Sequence, residues 1–159
     1  MTVTVRPATP GDFELVAAFI RKLADYEKLS HEVVFDPDVL RRHLFGPHPA
    51  AEVLIGEVDG VPAGFALHFA TFSTFEGRPG IYLEDLFVDP DARGHGLGKA
   101  LLARLAELVI ERGGARLEWS VLDWNELGKG FYRTLGAAPA TGWERWRIEG
   151  AALAELAGG

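Results

Sequence analysis

The hydrophobic pattern divides the chain into alternating strand-like and helix-like stretches. Thr2 to Arg6 alternates with a period of two and predicts a short opening strand. Phe13, Val16, Ala17, Ile20 and Leu23 recur at helical spacing and predict a helix with one apolar face, running to about Glu27. Thr9, Pro10 and Asp12 supply its start: a capping side chain, a proline at the first helical position and an acid in the first turn. Asp36 and Pro37 open a second helix to about Phe45, which Gly46-Pro47-His48-Pro49 stops. Glu52 to Val58 and Val61 to Phe72 read as strands joined by Asp59-Gly60, a pair that tolerates the positive φ of a tight hairpin turn. Ser73 to Gly80 is a longer connection into Ile81 to Val88, apolar enough for a buried strand that Pro90 and Asp91 end.

Beyond a glycine-rich loop, Leu97, Leu101, Leu105 and Leu108 line a helical face to about Arg112, with Gly113-Gly114 as its stop. Leu117 to Leu122 predicts the next strand. Asp123 to Leu135 predicts a helix, weakened by Gly128 and Gly130 and closed by Gly136. Trp143 to Ile148 predicts a last strand before an alanine-rich tail. The order is strand, two helices, three strands, helix, strand, helix, strand. That is a mixed α/β class: a mostly antiparallel sheet flanked by helices, whose meander feeds a strand-helix-strand unit.

Composition narrows the setting. A chain of 159 residues, 48% hydrophobic, suits one domain over 1–159 and offers no linker at which to divide it. With no cysteine there is no disulfide, thiolate metal site or cysteine nucleophile. The start, Met1 to Arg6, lacks the apolar core of a signal peptide, and no run reaches membrane-spanning length, so the expectation is a cytoplasmic protein without a membrane partner. A net charge of −7 disfavours nucleic acid and favours cationic small molecules.

The chemistry concentrates in Arg93-Gly94-His95-Gly96-Leu97-Gly98-Lys99, between a strand and a helix. Three glycines there free backbone N–H groups for an anion, the helix end favours negative charge, and Arg93 and Lys99 add to it. A phosphate-bearing ligand is one reading and a mobile strand-to-helix turn the other. A dinucleotide fingerprint would need glycine where Lys99 stands, and a Walker loop glycine at 93 and Ser or Thr at 100.

The remaining spacing, Arg93, two residues, Gly96, one residue, Gly98, resembles the pyrophosphate motif of the GCN5-related N-acetyltransferases, which bind acetyl-CoA. The likeness extends to Val5-Arg6-Pro7-Ala8-Thr9, Tyr82-Leu83-Glu84-Asp85, and Trp124-Asn125-Glu126 through Phe131-Tyr132. It is nearest the diamine acetyltransferase group. Glu27-Lys28-Leu29-Ser30 and Val121-Leu122-Asp123-Trp124-Asn125 are more similar to its thialysine branch than to its spermidine/spermine branch.

The resemblance implies a cofactor site in which Leu86, Phe87 and Val88 hold the pantetheine arm as an added strand and Arg93, Gly94, His95, Gly96, Leu97, Gly98 and Lys99 receive the pyrophosphate. Asn125 matches a family position that contacts the cofactor arm, and by its place in the chain it is equally the N-cap of its own helix. Glu84 matches the carboxylate that takes the amine's proton through water; otherwise it is a strand-edge acid in an ion pair. Alternation sends Asp85 to the opposite face. Tyr132 matches the general acid, with a packed core tyrosine as its plain alternative. A strand distorted near Leu86 would offer an N–H to the oxyanion.

On the acceptor side the resemblance points to Tyr26, Glu27, Glu118, Trp119, Ser120 and Trp143, although the end of the first helix reads equally as a solvated terminus. His31, His43, His48, His68 and His95 lack paired ligand spacing, so no metal is expected. The implied activity is direct acetyl transfer from acetyl-CoA to a small primary amine by a homodimer. A protein lysine or N-terminal acetyltransferase and a non-catalytic CoA-binding module are the alternatives.

Overall fold

The computed structural model describes residues 1–159, which divide into two compact units, Met1–Leu122 and Asp123–Gly159. In the first unit the strands are β1 (Val3–Pro7), β2 (Glu52–Val58), β3 (Val61–Ser73), β4 (Arg78–Val88) and β5 (Leu117–Trp119). They form one sheet in the order β1-β2-β3-β4-β5, antiparallel except for the parallel β4–β5 pair. Its helices are α1 (Phe13–Tyr26), α2 (Pro37–Phe45) and α3 (Leu97–Glu111). Asp59 and Gly60 take φ of 53° and 79°, the left-handed turn their sequence predicts.

The apolar stripes explain the layers. Val16, Phe19 and Leu23 of α1 and Leu44 of α2 close over Val53, Ile55, Phe65, Leu67 and Phe87 of the sheet, with Phe19 stacked on Phe65 at 5.5 Å. Leu97, Leu101 and Leu105 of α3 are fully buried. The start of α3 comes very close to the sheet: a Cβ on Gly56 would lie 2.6 Å from Leu97 Cδ1, and one on Gly64 would lie 3.3 Å from Leu97 Cδ2. Two strand glycines thereby seat the helix end that follows the glycine loop.

Arg6 is a structural pin. Its guanidinium grips both oxygens of Asp12 at 2.8 and 3.0 Å and donates from Nε to Glu57 at 3.3 Å, tying β1 to the turn that starts α1. The Asp12 carboxyl is thereby held well below the usual carboxylate range.

The predicted strand from 117 to 122 is cut short at Trp119, because β5 pairs with β4 only from Ile81 to Leu83. The second unit contains α4 (Glu126–Thr134) and α5 (Gly150–Leu156). The last strand expected at Trp143 to Ile148 does not form: the segment has no regular structure, and Trp143 and Trp146 are 88% and 86% exposed. Its alternation is strand-like, but the second unit contains no other strand to pair with, and an isolated strand is not stable.

Candidate active site

The donor side is built from backbone. After Leu83 the β4–β5 ladder ends, so Glu84 to Val88 continue with one edge unpaired by β5. Beyond a 3-10 turn at Pro90–Ala92, Gly94 and Gly96 adopt φ of 86° and 80°, where a side chain would be strained, and a Cβ on either would meet nothing within 4 Å. Gly96 caps α3 with no side chain, and the first backbone bond of the helix runs from Ala100 N to Gly96 O. The N–H groups of Leu97, Gly98 and Lys99 are thus left without helical partners.

No acid stands in the first turn of α3, whereas α2 begins with Asp36 accepting from the amides of Asp38 and Val39. An uncapped, acid-free helix end behind open glycines suits a diphosphate, and the free strand edge suits an extended amide arm. The residues expected at 86–88 and 93–99 therefore fit acetyl-CoA.

In the first unit, the residues expected on the acceptor side surround one irregularity of the sheet. Leu67 pairs with Asp85 and His68 with Leu83, so Glu84 is an extra residue bulged out of the β3–β4 ladder. The distortion expected near Leu86 thus lies two residues earlier. A bulge breaks strict alternation at this point of the strand, where exposed Glu84 is followed by half-buried Asp85, and the charge of Glu84 acts on both Asp85 and Glu27. Burial, reinforced by Glu84 and then Glu27, pushes the Asp85 carboxyl up to about 7. Burial, then Glu84, also raises Glu27. Glu84 itself is exposed. Three acids held together in this way favour a cation among them.

Other predicted residues divide between site and scaffold. Tyr82 Oη and Ser120 Oγ share a hydrogen bond of 2.6 Å just past the last β4–β5 pair. Glu118 is ion-paired with Arg116 at 3.1 Å, so its charge is already compensated. Trp119 closes the same short ladder, opposite Leu83. Tyr26, on the last turn of α1, lies under the Arg93 guanidinium, 5.2 Å from ring centre to Cζ. A cleft of about 330 Å³, lined among others by Lys22, Pro62, Asp91 and His95, includes none of the three acids.

In the second unit Asn125 is the N-cap of α4, its Oδ1 accepting from Gly128 N at 3.0 Å. Tyr132 lies on α4 with its ring 5.6 Å from that of Phe131. Trp143 lies in the irregular segment. Asp85 was not among the residues expected here, and its half-buried position beside the bulge makes it a further candidate. The signal was present, since two adjacent acids in an otherwise apolar strand are costly to bury, but strict alternation assigned the second one away from the site.

Residues 18–137 match the acetyltransferase (GNAT) family. The chain is 38% identical to the thialysine N-epsilon-acetyltransferase of Bos taurus over 98% of both chains. It is 28% identical to the L-ornithine N5-acetyltransferase NATA1 of Arabidopsis thaliana, covering 94% of this chain and 85% of that one. Among solved structures, integron cassette protein VCH_CASS6 from the mobile metagenome of V. cholerae superposes with a TM-score of 0.80 at 28% identity, covering 99% of this chain and 98% of that one.

Proposed function

The chain belongs to the acetyltransferase (GNAT) family and is an acetyltransferase, and on that premise we propose that it acetylates the terminal primary amine of a small molecule, a thialysine-like amino acid ahead of a diamine or polyamine. The observation that carries the reading is the cluster of Glu27, Glu84 and Asp85 where β4 leaves β5 and its edge becomes free. A cation site and a donor seat then share one strand.

Acetyl-CoA, which this family uses, supplies a reactive acetyl thioester. Leu86, Phe87 and Val88 hold its arm along the free edge, residues 93 to 99 hold its diphosphate, and Asn125 contacts the arm while capping α4. Glu118, Trp119, Ser120, Tyr26 and Glu27 border the amine, and Trp143 is kept as a candidate on the family resemblance.

The amine must lose a proton before it attacks. An alkylammonium has a reference pKa of about 10.4, so an ordinary carboxylate is short of it by about six units, each worth about 1.4 kcal/mol. Asp85 at about 7 reduces that gap to about three units, and is the member poised to take the proton. Glu84, exposed at the bulge, passes it to water. The Tyr132 hydroxyl protonates the departing sulfur.

The whole of 1–159 acts as one acetyltransferase domain, a reading supported by a family match over 18–137 that continues from the first compact unit into the second. The exposed Trp143 and Trp146 support a homodimer, to be tested by sedimentation, and the lack of cysteine supports a cytoplasmic setting. No helix is long and apolar enough to cross a membrane.

The function is tested by incubating the protein with acetyl-CoA and an equimolar mixture of thialysine, lysine, a short diamine, spermidine and a lysine-containing peptide, then identifying products by mass spectrometry. Terminal acetylation of a small amine, lost in Tyr132→Phe, is expected. Acetylated peptide alone would favour the protein-modifying reading, and no product despite CoA binding would favour the non-catalytic module.

A further inference from the structure

The last two turns of α1 meet the donor loop at two points. Lys22 Nζ pairs with Asp89 Oδ1 at 3.0 Å, and the Tyr26 ring lies 5.2 Å from the Arg93 guanidinium. Residues 22 and 26 are one helical turn apart and share a face, and their partners 89 and 93 bracket the 3-10 turn that opens the loop. The helix therefore lies along the foot of the loop.

The two contacts act on charge in complementary ways. Asp89 is the acid that follows β4, and left alone it would repel a phosphate or draw Arg93 towards itself; Lys22 neutralises it. Arg93 pairs with no carboxylate. Its Nε donates to the Val88 carbonyl at 3.3 Å and its face rests on Tyr26. A guanidinium fixed at Nε and on one face keeps its two terminal nitrogens for a ligand, the edge that binds phosphate in bidentate fashion. Stacking on an aromatic ring reduces the freedom lost when that bond forms.

We infer that Tyr26 is a positioning residue for the donor diphosphate, acting through Arg93, in addition to any contact with the acceptor. The inference rests on the acetyl-CoA reading above. It makes the end of α1 a joint element: Tyr26 reaches the donor loop and the next residue, Glu27, belongs to the acceptor's carboxyl cluster. A residue that only lined the acceptor site would affect amine binding alone.

The test is calorimetric titration of CoA into the protein without any amine, comparing wild type, Tyr26→Phe, Tyr26→Leu, Arg93→Ala and the Tyr26→Leu/Arg93→Ala double variant. Tyr26→Phe keeps the ring and with it the affinity. Tyr26→Leu weakens CoA binding by about two- to fivefold, the scale of an exposed cation–π contact. Arg93→Ala weakens it by about tenfold or more, and adding Tyr26→Leu to that background causes no further loss. Tyr26 is 39% exposed, so each variant is expected to fold, with thermal melting as the control. Unchanged CoA affinity in Tyr26→Leu, or a loss that persists in the Arg93→Ala background, would overturn the inference while leaving the acetyl-CoA reading intact. No CoA binding by the wild type would overturn both.

Discussion

The two halves of the proposed site are built from different materials. The donor side is backbone: a strand edge that β5 leaves free, two glycines in left-handed conformation and an uncapped helix end. The proposed acceptor side is side chain: the carboxyls of Glu27, at the end of α1, and of Glu84 and Asp85, at the bulge of β4, whose charges act on one another. A backbone site needs glycine at fixed spacing and is therefore visible in sequence. A side-chain site depends on register, which a single extra residue shifts.

That contrast predicts how each half fails. The largest effect falls on the donor side: Gly96→Val forces a β-branched residue into φ near 80° and projects it into the open face of the loop. CoA affinity is expected to drop by at least tenfold by calorimetry, with the melting temperature lowered by several degrees through backbone strain. On the acceptor side, Glu27→Gln, which keeps hydrogen bonding and loses the charge, is expected to leave CoA affinity unchanged and raise the amine's KM by about three- to tenfold, the range of an ordinary net hydrogen bond. Equal losses on both ligands in either variant would break the separation.

Smaller effects concern stability. Between pH 3.8 and about 7 the native state keeps the Asp85 proton that the unfolded chain has released, so this group lowers stability as pH rises through that window. Thermal melts of Asp85→Asn should lose that decline. His68 gives the opposite slope. It is 1% exposed, neither ring nitrogen has a hydrogen-bond partner, and Glu52 Oε2 is 3.7 Å from Nε2, with Arg112 competing for the same carboxylate at 3.1 Å. Burial, partly offset by Glu52, lowers its pKa from 6.5, so the unfolded chain binds the extra proton and stability falls as pH drops below about 6.5. His68→Leu should flatten that acid limb and stabilise by about 1 kcal/mol at neutral pH, since an unsatisfied polar group leaves the core.

Legibility in the sequence follows the same division. Asp59-Gly60, the leucine stripe of α3 and the glycine loop each carry a local signature, and each forms where the pattern predicts. The Asn125 cap is equally local. Three features depend on contacts distant in sequence. The Glu84 bulge is set by how β3 meets β4, the end of β5 at Trp119 by where it parts from β4, and the missing strand at 143–148 by the lack of an edge to pair with. Alternation within a segment carries no information about any of them.

The most direct measurement is the pH dependence of kcat/KM for the preferred small amine at saturating acetyl-CoA, in wild type and Asp85→Asn. The rate should rise with pH through an inflection near 7 as Asp85 ionises, superimposed on the rise from the amine itself, and the inflection should vanish in the variant while CoA binding persists. No turnover of any small amine by a protein that binds CoA, or an inflection unchanged in Asp85→Asn, would contradict the account.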